Sequence, residues 1–230
     1  MGENVETVGE PAVALHDCSF SYPGGRHVIA GLDWQLAPGS FAVLTGATGS
    51  GKTTIFRLLL RLLLPTSGHI YVLGEDLGRL PAWQRPKLRR RIGVVAQDLA
   101  LLGDRTVEQN LRLALAVQGK RGRAAHRRAV QLLQEGNLMH RRHDLPVHLS
   151  GGERQRLAVA RAASGFPDLV LADEPTSHLD PESAVEIVER LERLQVAGST
   201  VIVVTHVPGH FRHVSARRTF RLEHGTLREL

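Results

Sequence analysis

The chain has a single cysteine, Cys18, in 230 residues, so no intrachain disulfide can form and a reducing compartment fits. A lone thiol of this kind is read as a small buried hydrophobe. Aromatic residues make up only 4% of the chain, too few for the stacking platforms that hold single-stranded nucleic acid. Long apolar runs are missing too. The most lipophilic stretch, Leu58 to Leu64, is interrupted by Arg61 and ended by Pro65. It falls short of the about 20 residues that span a bilayer and is expected as a core helix. Residues 1–10 hold three glutamates and no Lys or Arg, which is no secretory signal. They are expected as a flexible segment before a domain covering 11–230, in a cytoplasmic protein.

What is present is an ordinary globular composition, 42% hydrophobic and 23% charged, in a length that suits one compact domain, with or without a smaller subdomain. The net charge is +6. Its basic residues are dispersed, with local clusters at Arg89-Arg90-Arg91, Lys120 to Arg128 and Arg141-Arg142. With so few aromatics, this is read as a solvated basic face, with anionic lipid headgroups as one conceivable neighbour, rather than a nucleic-acid groove.

Short apolar or β-branched runs at Phe41 to Thr45, Ile92 to Val95, Leu169 to Ala172 and Val201 to Thr205 predict buried parallel strands separated by helices. Ahead of them, Val13 to Tyr22, the turn Pro23-Gly24-Gly25 and the alternation from Val28 to Leu36 predict an antiparallel β-subdomain. From about 105 to 165 strand signals vanish, which predicts an inserted helical subdomain. A further helix is expected after Asp180, a suitable N-cap, with Pro181 at its first position. Val185, Val188, Leu191 and Leu194 would share one face, with ion pairs Glu186–Arg190 and Glu189–Arg193 on the other.

Three motifs carry chemistry. Gly46-Ala47-Thr48-Gly49-Ser50-Gly51-Lys52-Thr53 matches the phosphate-binding loop in full and lies between an expected strand and an expected helix. Its glycines let successive backbone N–H groups converge on phosphate, and the helix that follows aims its positive end at the same charge. Lys52 would reach the β- and γ-phosphates, and Thr53 would ligate Mg²⁺, with Thr54 next to it in the nucleotide-binding stretch. Asp173 and Glu174 end an apolar strand, where open α/β sheets form their ligand crevices. Asp173 would hold Mg²⁺ through water, and Glu174 would activate the attacking water. Ser150-Gly151-Gly152, opening a helix, would make a second anion-binding corner suited to a γ-phosphate.

The stretch Leu149-Ser150-Gly151-Gly152-Glu153-Arg154-Gln155-Arg156 resembles the signature sequence of ABC ATPases, and the resemblance runs from about Val13 almost to the C-terminus. It implies an α/β fold: an ABC-type P-loop ATPase domain with a mainly parallel core sheet, an antiparallel β-subdomain and an inserted helical subdomain. It also implies Mg²⁺-dependent ATP hydrolysis in an ATP-sandwich homodimer, each P-loop closed by the partner's signature. On the same grounds Tyr22 resembles the aromatic that stacks on adenine, and Gln97 the glutamine that contacts Mg²⁺ and the lytic water. Asp180 ends Ser177-His178-Leu179-Asp180, which resembles the D-loop, and His206 resembles the switch histidine at the γ-phosphate. Within the family, the runs Leu88 to Asp98 and Leu101 to Asn110 resemble the FtsE group of bacterial cell-division ATP-binding proteins. That implies a membrane partner, FtsX, a place on the inner face of the membrane and control of cell-wall hydrolysis. The ATPase of a lipoprotein-release or macrolide-type exporter is the alternative, and a non-hydrolysing nucleotide-dependent scaffold a further one. Ala96, His178 and Val207 depart from the usual family residues. The groupings His206, His210, His213 and His140, His143, His148 are read as polar surface rather than metal sites.

Overall fold

The computed structural model describes residues 10–230, so the expected flexible segment, apart from Glu10, lies outside the described residues. Two sheets form the frame. The first has the order β2 (Arg26–Leu36), β1 (Val13–Tyr22), β4 (Ser67–Val72), β5 (Glu75–Asp76), all antiparallel. The second runs β10 (Thr226–Glu229), β9 (Arg217–Glu223), β3 (Phe41–Thr45), β8 (Thr200–Val204), β7 (Leu169–Asp173), β6 (Ile92–Val95). Its strands are parallel except for the closing hairpin β9–β10. Every residue of β3, β7 and β8 is buried, which is why these strands read as unbroken apolar runs.

The expected α/β architecture is therefore present, mainly parallel core and antiparallel sheet included. One core lies between the two sheets around α1 (Lys52–Leu59) and includes Leu15, Trp34, Leu44, Ile55 and Phe220. A second covers the other face of the large sheet, where α5 (Gly151–Ala162) and α6 (Pro181–Val196) pack through Ala158, Val159, Ile187 and Leu191. A third lies among α3 (Val107–Val117), α4 (Gly122–Glu135) and the far side of α5, meeting at Leu111, Leu132 and Leu157. Cys18 is buried, as read from the sequence. The remaining helix, α2 (Arg85–Arg90), directly precedes β6.

Some expectations need correction. The lipophilic stretch is a core helix only at its start. Leu58 and Leu59 are buried, but α1 ends at Leu59, Arg61 takes a left-handed backbone, and Leu62 and Leu64 are exposed. In α6 the Asp180 carboxylate accepts from the Ser183 N–H at 2.9 Å and Pro181 opens the helix, as expected. Its buried stripe, however, is Ala184, Ile187, Val188 and Leu191, while Val185 is half exposed. The i, i+3, i+4, i+7 pattern prevails over a strict spacing of three, because 3.6 residues complete a turn. Glu189 does meet Arg193 at 3.2 Å, but Glu186 pairs across helices with Arg156 at 3.1 Å. Strands β4, β5, β9 and β10 add to those expected. Buried Phe220 and Leu222, two apart among polar neighbours in β9, were the available signal.

The start of α5 is held by a capping box. The Ser150 hydroxyl accepts from the Glu153 N–H, and the Glu153 carboxylate accepts from the Ser150 N–H at 2.7 Å and from Arg141 at 3.0 Å. Burial of Glu153 opposes its charge, but the Ser150 N–H and Arg141 outweigh that and hold its carboxyl down at about 2. A depressed carboxylate contributes stability above its unfolded value and loses it as pH falls through the folded value. The stability gap between wild type and Glu153→Gln, followed by urea unfolding, is therefore expected to hold steady from about pH 7 to 5 and to narrow steadily toward about pH 2. At the other end of α5 the sheet comes close: a Cβ on Gly93 of β6 would lie 2.5 Å from the Ala162 carbonyl oxygen. Gly93→Ala is expected to cost about 1–3 kcal/mol, seen as a lowered urea midpoint with an unchanged slope.

Candidate functional site

β3 delivers the chain into a loop whose glycines do what other residues could not. Gly46, Gly49 and Gly51 have φ of 149, 80 and 109°. A Cβ on Gly46 would stand 2.5 Å from the Leu222 carbonyl oxygen, and one on Gly51 would stand 2.6 Å from Val28 Cγ1. A side chain at either place would collide with these neighbours and push the loop from its path. Lys52 follows at the first position of α1. It is buried, and its ammonium donates to the Gly46 and Ala47 carbonyls at 2.7 and 3.0 Å. Burial pushes its pKa down, while Glu174 and Asp173 pull the other way. The Thr53 hydroxyl-bearing residue is exposed, Thr54 is buried, and Ala47, Thr48 and Gly49 face solvent. Tyr22, at the end of β1, brings its hydroxyl to 3.3 Å from the Thr54 hydroxyl and lines a cleft of about 160 Å³ with Gly49, Gly51, Lys52 and Thr53.

Two strands over, β7 ends in the carboxylate pair. Asp173 is buried and its Oδ1 has no hydrogen-bond partner. Burial, then the neighbouring Glu174 charge, pushes its carboxyl up to about 6. Glu174, with a left-handed φ of 50°, is bonded on both oxygens. Oε1 accepts from the His206 N–H at 3.0 Å and lies 2.8 Å from His206 Nδ1; Oε2 accepts from the hydroxyls of Ser177 at 2.9 Å and Thr205 at 3.0 Å. Burial favours the neutral acid here, but these donors, His206 first, prevail and hold the carboxyl below its ordinary value. Glu174 stays ionised at neutral pH and fixed in direction. Ser50 Oγ is likewise buried and unpartnered. A free Asp173 oxygen, an exposed Thr53 and an open glycine cradle are the donor set that a phosphate with a hard divalent cation such as Mg²⁺ requires, and the residues fit that pair.

The structure thus gathers Tyr22, Gly46 to Thr54, Asp173, Glu174 and His206 in one place, while Ser150, Gly151, Gly152, Asp180 and Gln97 make no hydrogen bond to them among the described residues. Ser150 and Gly151 are exposed at the start of α5, with no hydrogen bond to the P-loop among the described residues. They lie beside the start of α6 instead. A Cβ on Gly152 would be 2.8 Å from Ser183 Oγ, the residue whose N–H Asp180 caps. Gln97 is exposed in the turn after β6. Just beyond it Leu99 and Ala100 both take left-handed backbones, and Arg161 of α5 donates to both their carbonyls. Arg161, Ser177 and Thr205 are the residues sequence reasoning missed in these roles. Thr205 had a signal, a hydroxyl ending an apolar strand next to His206. Among the described residues no group of three or more His, Cys, Asp or Glu side chains is placed to hold a metal ion.

Comparison with known proteins now decides the class. The ABC transporter family matches residues 29–177. The chain belongs to the ABC transporter family. It is similar to the cell division ATP-binding protein FtsE of Bacillus subtilis, 38% identical over 194 residues that cover 84% of this chain and 85% of the relative. With FtsE of Escherichia coli K12 it is 37% identical over 210 residues, 91% and 93% of the two chains. Among solved structures it is similar to the ATP-binding cassette MJ0796 in a dimeric post-hydrolysis state bound to ADP and Pi. The TM-score is 0.86, with 31% identity and coverage of 95% and 97%. CbiO1 of Clostridium perfringens, part of the ABC transporter complex cbiONQ, gives a TM-score of 0.83 at 26% identity, covering 96% of this chain and 88% of that one.

As an ABC ATPase the chain binds and hydrolyses ATP. One of its departures has a structural footing: His178 sits at φ 64°, a left-handed position that histidine, like asparagine, tolerates better than most residues. No helix among the described residues is long and apolar enough to cross a membrane. The cost of keeping Asp173 charged without a partner makes a prediction. Asp173→Asn is expected to stabilise the nucleotide-free protein at neutral pH by about 1–3 kcal/mol, read from urea unfolding. A loss of stability would mean that Oδ1 already has a partner.

Proposed function

We propose that the chain is the ATP-hydrolysing subunit of a membrane ABC complex of the FtsE kind, working as an ATP-sandwich homodimer. The observation that carries the reading is the Glu174 carboxylate, held by four hydrogen bonds beside the unpartnered Asp173 and within the field of Lys52. A fixed, ionised carboxylate at the mouth of a phosphate cradle positions and activates an attacking water.

In this reading Lys52 leaves the Gly46 and Ala47 carbonyls for the β- and γ-phosphates of ATP, and the N–H groups of Gly49 to Thr54 take the remaining phosphate oxygens. Tyr22 stacks on the adenine. Thr53, Gln97 and Asp173 would hold Mg²⁺, which when bound supplies charge neutralisation on the phosphates. His206 keeps Glu174 aimed through Nδ1 and offers its other ring nitrogen toward the γ-phosphate. Ser150, Gly151, Gly152 and Asp180 stand together at two neighbouring helix starts away from this P-loop, which suits them to close the site of a second copy. The dimeric state of the ATP-binding cassette MJ0796 bound to ADP and Pi supports that arrangement.

We propose further that dimer closure drives a separate membrane subunit, FtsX, to control cell-wall hydrolysis from the inner face of the membrane; the cell-division names of the two FtsE relatives support the cell-division part of this reading. Glu174→Gln is expected to lower ATP turnover by about 10²–10⁴-fold and to accumulate an ATP-bound dimer in gel filtration. A variant that stays monomeric with ATP would overturn the sandwich. Affinity purification from cells is expected to retain FtsX; recovery of a lipoprotein-binding permease in its place would overturn the cell-division role and leave the ATPase untouched.

A further inference from the structure

The segment Arg79 to Arg91 carries six basic residues, Arg79, Arg85, Lys87, Arg89, Arg90 and Arg91, and no acidic one. Two of the six are partly engaged, Arg79 with Asp76 at 3.7 Å and Arg91 with Asp168 at 2.6 Å. Arg85, Lys87, Arg89 and Arg90 form no salt bridge among the described residues, and Lys87, Arg89 and Arg90 are exposed. Of the other basic clusters, Arg141 is spent on Glu153 and Asp144 and Arg142 on Glu108. Of the Lys and Arg residues from Lys120 to Arg128 only Arg128 is paired, with Glu135, among the described residues, but no tryptophan stands within that stretch.

In the middle of this uncompensated charge stands Trp83, 77% exposed. The other tryptophan, Trp34, is buried in the core. A second strip of apolar surface adjoins the segment. Arg61 donates to the carbonyls of Leu77 and Leu80 at 2.5 and 3.3 Å, tying the turn after α1, with its exposed Leu62 and Leu64, to the chain just ahead of Trp83. The Arg61 guanidinium is disfavoured by burial and then by Arg85 and Arg89, a sign that positive charge accumulates here without local compensation.

We propose that this face, Trp83 with Arg85, Lys87, Arg89 and Arg90, contacts an anionic lipid surface directly. Tryptophan has an apolar ring and a polar N–H, a combination that settles at the headgroup level of a bilayer, while exposed Arg and Lys are drawn to anionic headgroups. A soluble face would need neither the bare indole nor the absence of carboxylates. Neither the cradle nor the carboxylate pair takes part, so the surface stands or falls apart from the ATPase and from the choice of membrane partner. It would give the subunit a second hold on the membrane beside the protein one, and orient it before assembly.

The test uses the purified full chain without nucleotide and vesicles of phosphatidylcholine, with or without phosphatidylglycerol in equal share. Co-sedimentation is expected only with the anionic vesicles and to fade in high salt. Tryptophan emission should shift to the blue and be quenched by brominated lipid, Trp34 serving as the unchanged background. Each basic residue near an anionic surface changes partitioning by about fivefold, so Arg89→Gln with Arg90→Gln is expected to weaken binding by roughly 25-fold. Trp83→Phe should abolish the spectral change while leaving charge-driven sedimentation in place. Equal binding to both vesicle types, no quenching, or unchanged binding by the double variant would each overturn the proposal. So would retention of these variants' defects only in the presence of the membrane subunit, which would make the face a protein contact.

Discussion

The four donors that converge on Glu174 depend on the parallel register of β7 beside β8. Asp173 pairs with Val204, so the residues that follow, Glu174 on one strand and Thr205 and His206 on the other, emerge side by side. The Glu174 N–H donates to the Val204 carbonyl, which locks the two strand ends together at the point where the carboxylate turns out. β3 is the next strand over on the other side of β8, and it delivers the P-loop to the same edge. Parallel strands put all their C-terminal ends on one edge, and a crevice forms where the loops that leave them diverge. The site is thus a property of the sheet before it is a property of any loop.

This placement has a cost that the structure leaves visible. Asp173 keeps a buried oxygen without a partner, Ser50 a buried hydroxyl, and Glu174 and His178 hold left-handed backbones. Each is unfavourable for folding alone. Asp173, Ser50 and Glu174 lie beside the glycine cradle, and Lys52 meanwhile bonds to its own loop's carbonyls. Arg161 does similar work at a distance, holding the left-handed Leu99 and Ala100 from the signature helix. The turn that carries Gln97 and the helix that carries Ser150 at its start are therefore tied together within one subunit through Arg161.

Much was legible from the chain itself. The parallel strands could be read because full burial on both faces demands unbroken apolar runs, as in Val201 to Val204. The P-loop could be read because only glycine tolerates φ near 100° with a carbonyl or side chain 2.5 Å from where Cβ would be. The cap of α6 was visible because Asp followed by Pro satisfies the first turn locally. Less legible were the elements whose partners are remote in sequence. β4 carries Gly68 and His69 in a strand of six residues, and its pairing is with β1, about fifty residues earlier. The face of α6 was misplaced by one position because Val185 is apolar yet points away from α5 and the sheet.

The sequence by itself determined the chemistry available: a cradle that accepts phosphate, a carboxylate pair at a strand end, a helix start built for an anion. Those are local devices, specified by residues within a few positions of one another, and local geometry suffices to define them. Only the tertiary structure decided which devices share a site. It put Tyr22, Lys52, Asp173, Glu174 and His206 together and left Ser150, Gly152 and Asp180 at a separate pair of helix starts. It also left Trp83 bare among unpaired arginines while spending Arg141 and Arg142 on internal carboxylates. Strand order, helix packing and ion pairing between distant segments are long-range relations, and no spacing along the chain encodes them.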